Sequence, residues 1–244
     1  MRADIAIIGG TGVGNRLELL GGRPFALSTP FGLVRGRLVP WKGVPVALIH
    51  RHGFGHRVPP HRIAFRAMAW GMARLGVRAC FATAAVGSLR AELPAGSVAV
   101  CTDFLDFTGR NLTLFETAVR HTDFSQPMGD TATRLLKDAC AAMDLPVPER
   151  CVYVGMNGPR YETPAEVRML ARLGGDVVGM TASSEAIACR EAGVDYGCLA
   201  LVANLGTGLS EAPLSHREVE ETVARVSGTA LAAVLEAAES LALR

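Results

Sequence analysis

No apolar run in this sequence reaches the roughly 18 residues that a membrane helix needs, so no membrane span is expected. The opening Ile5-Ala6-Ile7-Ile8 ends at once in Gly9-Gly10, too soon for a secretion signal; a first buried strand fits it better. Aromatic residues are scarce, 6% of a chain that is 49% hydrophobic, which leaves a globular core of Ala, Val and Leu. The charges nearly cancel. There are 25 Lys and Arg against 23 Asp and Glu, a formal +2 with no basic block, which argues against binding nucleic acid by electrostatics. None of the six cysteines (Cys80, Cys101, Cys140, Cys151, Cys189, Cys198) stands in a CxxC pair. All sit in apolar segments, as reduced core thiols would, and a cytoplasmic protein is expected.

Several motifs are absent as well. The glycine-rich start lacks both GxGxxG and GxxxxGK[ST], so neither a dinucleotide nor a Walker-type nucleotide site is indicated. There is no GxSxG, and no Ser or Cys stands in a triad-like setting, which removes the usual covalent nucleophiles. His56 and His61 lack an accompanying Cys or carboxylate cluster at ligand spacing, so no metal site is expected. No repeat, low-complexity stretch or linker divides the chain, and residues 1–244 read as one domain.

What is present is alternation. Short β-rich apolar runs at 5–8, 44–49, 79–83, 97–102, 151–154, 176–180 and 196–203 predict strands. Longer Ala/Leu/Arg stretches at 62–75, 130–143, 164–173, 182–192 and 216–243 predict helices. Alternation of this kind implies an α/β fold with a largely parallel sheet covered on both faces. The polar segment 106–130 reads as an extended loop, and that length points to function or an interface.

The chemistry-bearing residues fall at strand ends, where open α/β sheets bind ligands. Gly9-Gly10-Thr11-Gly12 lets backbone N–H groups approach an anion with the Thr11 hydroxyl beside them, although a ligand-free tight turn would look the same. Arg51-His52-Gly53 adds a guanidinium fork suited to a phosphate dianion, or else a solvated basic strand end. Thr83-Ala84-Ala85-Val86-Gly87 is small enough for a substrate to lie against backbone, or for close helix packing. Tyr161-Glu162 pairs an aromatic that can stack on a heterocycle with a carboxylate that can accept from its edge; Thr163 before Pro164 is also a plausible helix N-cap. Met180-Thr181 and Asn204 end two more strands, where a Met is commonly core and an Asn a turn former. Taken together, the set suits a site for an anion and a planar base.

In this order the segments IIGGTG, RHG, TAAVGSL, GPRYETPAE, VVGMT and LVAN, running from residue 5 to 204, resemble the trimeric purine nucleoside phosphorylases, with the methylthioadenosine and methylthioinosine phosphorylases among them. The resemblance implies a single α/β domain with a twisted mixed sheet flanked by helices, assembled as a homotrimer. It implies that Thr11, Arg51, His52, the Ala85 backbone and Thr181 hold phosphate, the co-substrate, with no other cofactor. Met180 would lie under the ribose and Tyr161 against the purine. Glu162 and Asn204 would read the base, and with His52 they are the expected catalytic residues. His121 matches a position that reaches the neighbouring subunit's 5′ pocket.

The resemblance also carries two departures. Relatives have Asn or Thr where this chain has Ala84, so one contact to phosphate or ribose is missing unless Thr83 supplies it. Adenine-specific relatives carry Asp in place of Asn204, a second Asp in place of Gly206 and Ser in place of Glu162; this chain has the 6-oxopurine set. Ionised Glu162 can accept from N1–H, while the Asn204 amide donates to O6 and accepts from a protonated N7. Adenine would leave these groups mismatched at roughly 1–3 kcal/mol each. The expectation is therefore phosphorolysis of inosine, guanosine or 5′-methylthioinosine. Methylthioadenosine phosphorolysis, hydrolysis by a nucleosidase, and non-catalytic purine binding (to which Ala84 lends some support) are the alternatives. His216, opening the last helix, matches the His that relatives acting on ordinary ribonucleosides bond to the 5′-hydroxyl, and tips the expectation toward a 5′-hydroxyl substrate.

Overall fold

The computed structural model describes residues 1–53, 55, 57–210 and 216–243; the side chains of residues 216 and 218 are not described. The chain begins with a fully buried strand, β1 (Ile5–Gly9). Burial along its whole length matches its unbroken apolar sequence, because both faces are covered. Side chains alternate across it. Ala6 and Ile8 face one core, which also holds Met68, Met72, Ala186 and Cys189; Ile5 and Ile7 face a second, with Leu135, Leu136, Val223 and Val234. The helices α2 (Phe65–Leu75) and α5 (Ala182–Ala192) supply the first layer, and α3 (Asp130–Ala142) and α6 (His216–Ala242) the second. Each large aliphatic side chain buried in these layers contributes about 1.5–3 kcal/mol.

One ten-stranded sheet runs between them in the order β2-β3-β4-β1-β5-β9-β8-β7, with β10 pairing β5 and β6 beside that path. It is mixed rather than largely parallel. β1 is parallel to β4 (Val44–His50) and to β5 (Ala79–Ser88), and β10 (Asp195–Leu205) is parallel to β5. The hairpin of β2 (Arg23–Thr29) and β3 (Gly32–Trp41) is antiparallel, as are β3–β4, the short β6 (Val98–Val100) against β10, and β9 (Val177–Gly179) against β5. β7 (Asp103–Asp106), β8 (Val152–Gly155) and β9 complete the parallel far side. Two further helices are α1 (Gly14–Glu18) and α4 (Pro164–Arg172).

The pairing of β5 creates the site. β10 follows one of its edges from Ala79 to Ser88. On the other edge β1 pairs only as far as Ala82, and β9 begins only at Gly87. Between these two partners the sheet parts, at residues that were expected to meet a substrate. The six cysteines are buried and unpaired, and burial raises the thiol pKa of Cys80, Cys140 and Cys189, which keeps them as unreactive thiols.

Candidate active site

A cavity of about 360 Å³ opens at the parting of the sheet. Thr11, Arg51, His52, Ala85, Tyr161, Glu162, Met180, Thr181 and Asn204 all line it, so nine residues singled out in the sequence converge. They come from the ends of β1, β4, β5, β9 and β10 and from the loop before α4. Thr207 and Val219 also line the wall, and neither had been singled out as a site residue.

At one end the glycine-rich turn lies against Arg51. Gly10 is required there, since a Cβ on it would sit 2.6 Å from both Arg51 Nη1 and the Thr83 carbonyl oxygen. The Gly10 N–H donates to Thr83 Oγ1 at 3.2 Å, and Arg51 Nη1 donates to the Thr83 carbonyl at 2.8 Å. Thr83 is 1% exposed and does not line the cavity. It anchors the turn and does not replace the contact missing at Ala84.

Arg51 itself differs from the expectation of a fork open to an anion. Its Nε and Nη2 donate to the two carboxylate oxygens of buried Glu185, the second at 2.7 Å, and Tyr196 Oη donates to Glu185 Oε2 at 2.6 Å. Burial works against the guanidinium charge, but Glu185 more than offsets it and the Arg51 pKa is raised. One N–H on Nη1 and one on Nη2 are uncommitted among these contacts, which leaves this wall residue two donors to offer an anion. Glu185 and Tyr196 escaped the sequence reading because a carboxylate inside an Ala-rich helix and a Tyr starting a strand look like ordinary surface and core.

Thr181 stands before α5, but its hydroxyl makes no capping bond. Instead Tyr153 Oη accepts from the N–H groups of Thr181 and Ala182 at 3.0 and 3.2 Å. The Thr181 side chain therefore serves the cavity at the positive end of an 11-residue helix. His52 Nδ1 lies 2.8 Å from the Val58 carbonyl, which can only accept, so Nδ1 carries the proton. In the neutral ring Nε2 is then an acceptor, and donation from it to an anion requires the imidazolium.

Asn204 and Glu162 add an amide and a carboxyl to the wall. Asn204 enters the cavity because β10 bulges between Val202 and Asn204 against Val86 and Gly87 of β5. Ala203 is the extra residue, and the two neighbours Ala203 and Asn204 both reach the wall. Asn204 Nδ2 donates to the Leu205 carbonyl at 2.7 Å, which fixes the amide plane. Glu162 is 8% exposed, and burial raises its carboxyl pKa from the ordinary value. It is held by the start of α4, where Thr163 caps the helix as expected: Glu166 N–H donates to Thr163 Oγ1, and Thr163 N–H to Glu166 Oε2. Arg160 pairs with Glu166 and helps hold that carboxyl down to about 2. Gly158, at φ 65°, passes so close to Met180 that a Cβ would strike its sulfur, so the glycine sets where Met180 lies.

His121, expected to reach a neighbouring subunit's pocket, does not line this one. It is exposed on the long loop between β7 and α3. That loop follows α5 away from the site, with the Leu114 N–H donating to Glu191 and Arg190 donating to the Asp123 carbonyl. At 1.5 Å per residue, Arg190 lies ~12 Å along the helix from its cavity end. The side chain of His216 lies outside the described residues, although Val219, one turn later on α6, lines the wall.

Residues 4–239 match the model of the phosphorylase superfamily. A protein of Moorella thermoacetica named as a probable 6-oxopurine nucleoside phosphorylase is 41% identical over 89% of this chain and 85% of its own. The 6-oxopurine nucleoside phosphorylase of Pyrococcus furiosus is 37% identical over 96% and 91%, and a probable S-methyl-5′-thioinosine phosphorylase of Methanopyrus kandleri 38% over 90% and 86%. Among solved structures, methylthioadenosine phosphorylase from Schistosoma mansoni in complex with adenine superposes with a TM-score of 0.93 at 26% identity, covering 100% of this chain and 93% of that one.

Proposed function

This chain belongs to the phosphorylase superfamily, and we propose that within it the substrate is a 6-oxopurine nucleoside, cleaved by inorganic phosphate to the free base and ribose 1-phosphate or its 5-methylthio analogue. The chain is a purine nucleoside phosphorylase and hence a pentosyltransferase. The observation that carries the 6-oxopurine reading is the placement of Glu162 and Asn204 in one cavity with Thr11, Arg51 and Thr181.

Phosphate sits at Thr11, Arg51, His52, the Ala85 backbone and Thr181. The ribose lies over Met180, and Tyr161 packs on the purine. Glu162 accepts the N1–H of the base, and the Asn204 amide donates to O6 and accepts from N7 as N7 takes a proton from solvent. The glycosidic bond breaks with its electrons leaving on the purine, and phosphate attacks C1′ of the resulting oxocarbenium-like ribosyl cation from the opposite face. Glu162, Asn204 and His52 are the catalytic residues of this scheme, and no metal or organic cofactor is required. The rate gain comes from positioning two substrates and from electrostatic stabilisation of the cation by bound phosphate. Hypoxanthine release from inosine that requires phosphate and yields ribose 1-phosphate checks it. Release without phosphate would instead identify a nucleosidase, and no release a purine-binding protein.

The exposed His121, carried away from its own cavity, supports a homotrimer in which it serves a neighbour. No described helix is long and apolar enough to cross a membrane, and six buried free cysteines support a cytoplasmic location.

At the 5′ end His216 begins the helix whose Val219 lines the cavity. A 5′-hydroxyl substrate would pair with His216, and His216→Leu shifts preference from inosine toward 5′-methylthioinosine, read as the ratio of the two kcat/KM values. An unchanged ratio removes His216 from the 5′ site.

The raised pKa of Glu162 gives a pH prediction. Turnover of inosine falls on the acid side at higher pH than an ordinary carboxylate would set, as the N1–H acceptor is protonated. Stability runs the other way. A carboxyl whose folded pKa lies above its unfolded value favours folding at low pH, and that contribution is lost as pH rises through the folded pKa. The ligand-free Glu162→Gln protein is therefore the more stable at neutral pH, and the gap in Tm closes on acidification. A gap that is constant with pH would contradict this.

A further inference from the structure

Arg110 is a half-buried residue near the start of the long loop, and it does not line the cavity. It nevertheless makes five hydrogen bonds that use all five guanidinium N–H groups. Nε donates to Asn157 Oδ1 at 2.9 Å and Nη2 to the Asn157 carbonyl at 3.0 Å. Nη1 donates to the Met180 carbonyl at 3.1 Å and to Ser184 Oγ at 2.7 Å, and Nη2 reaches the Pro60 carbonyl at 3.4 Å. The guanidinium carbon also lies 4.9 Å from the centre of the Phe65 ring.

These acceptors belong to three separate pieces of chain, and each supplies cavity wall close by. Pro60 is itself a wall residue. Asn157 opens the loop that carries Pro159, Tyr161 and Glu162. Met180 and Ser184 bracket Thr181 at the head of α5. The Asn157 and Met180 pieces leave the paired strands β8 and β9, whose last bond runs from the Met156 N–H to the Gly179 carbonyl at 2.8 Å; beyond it the segment 156–163 has no regular structure of its own, and the Pro60 piece lies on neither strand. The phosphate-end pieces at Gly10, Arg51 and Thr83 are fastened independently, to Glu185 and to one another, and Thr181, between Met180 and Ser184, has its own anchor in the bonds from the Thr181 and Ala182 N–H groups to Tyr153 Oη.

We propose that Arg110 is a positioning residue that locks the three wall segments of the nucleoside half of the site into one arrangement, and so sets nucleoside affinity separately from phosphate affinity. Which half takes the nucleoside rests on the function proposed above. A planar fork with five fixed donors is suited to this, whereas a Lys ammonium has fewer donors and no plane.

Steady-state kinetics of Arg110→Ala and Arg110→Lys, with inosine and phosphate varied separately, test the proposal, alongside hydrogen exchange of segments 57–62, 156–163 and 180–184. In Arg110→Ala the KM for inosine rises by about tenfold to a hundredfold, as for a small misplacement of binding groups, while the KM for phosphate rises much less, because Thr181 keeps its bond to Tyr153 Oη. Arg110→Lys recovers little, millimolar guanidinium lowers the raised KM of the Ala variant, and the three segments exchange faster while β1, β5 and β10 do not. Asn157→Ala, which removes one acceptor, moves the same quantities less and keeps the test open if Arg110→Ala does not fold. Parallel rises in both KM values, full rescue by Lys, or unchanged exchange in the three segments would overturn the proposal. If the wild type shows no phosphate-dependent turnover, the function proposed above fails, and the exchange data still decide whether Arg110 holds the walls.

Discussion

Replacing Asn204 by Asp lowers kcat/KM for inosine by about 10²–10³-fold, the cost of losing one aligned donor at a developing charge. The amide is placed by the bulge in β10 and held by its bond to the Leu205 carbonyl, so its remaining N–H and its oxygen have fixed directions. In the proposed scheme these meet O6 and the protonated N7. An ionised Asp can accept from the protonated N7 but repels O6, where negative charge builds as the glycosidic electrons pass to the base. Adenine nucleosides present a 6-amino donor instead, so their turnover falls less and their relative use rises. The two side chains are nearly isosteric and the position is only half-buried, so the fold should tolerate the change. Kinetics with inosine and adenosine at saturating phosphate measure the effect, and equal losses for the two substrates would remove Asn204 from base recognition.

Arg51→Ala carries the second large effect, and it has two parts. It leaves Glu185, 2% exposed, with the Tyr196 hydroxyl as its remaining donor. Breaking a buried pair in this way destabilises by about 3–5 kcal/mol, visible as a large fall in Tm. The same substitution removes two donors from the anion end, and the KM for phosphate rises far more than the KM for nucleoside. The double variant Arg51→Met with Glu185→Leu separates the two parts, because it removes both charges together. It regains most of the stability and none of the phosphate affinity. If phosphate affinity is unchanged in Arg51→Ala, or returns with stability in the double variant, Arg51 is a structural cation and not a phosphate ligand.

Residues whose role depends on where a strand ends were legible in the sequence. Thr11, Arg51, Met180 and Asn204 each follow a buried apolar run, and all four reach the cavity. The runs themselves were legible because burial on both faces leaves an unbroken apolar signature, as in β1. The hairpin of β2 and β3 was not, since it buries only scattered side chains and its exposed positions mix Arg23, Ser28 and Arg35 with Pro24, Ala26, Leu33 and Pro40. The half-exposed β7 and the five-residue α1, which has no side-chain cap, were missed for the same lack of pattern. The mixed character of the sheet followed from the antiparallel additions, which alternation of strands and helices cannot reveal. Partners that are distant in sequence were the hardest. Glu185 lies 134 positions from Arg51, and Arg110 binds residues 47, 50, 70 and 74 positions away, so neither had a local signature.

The central claim is that one cavity joins a phosphate site to a reader of 6-oxopurines. It is tested most directly by comparing kcat/KM for two pairs matched at the 5′ position, inosine with adenosine and 5′-methylthioinosine with methylthioadenosine, in the presence and absence of phosphate. The account predicts that turnover requires phosphate and that the 6-oxopurine member of each pair is favoured at least tenfold, about 1.4 kcal/mol. A tenfold preference for the adenine member in either pair, or turnover that does not depend on phosphate, would contradict it.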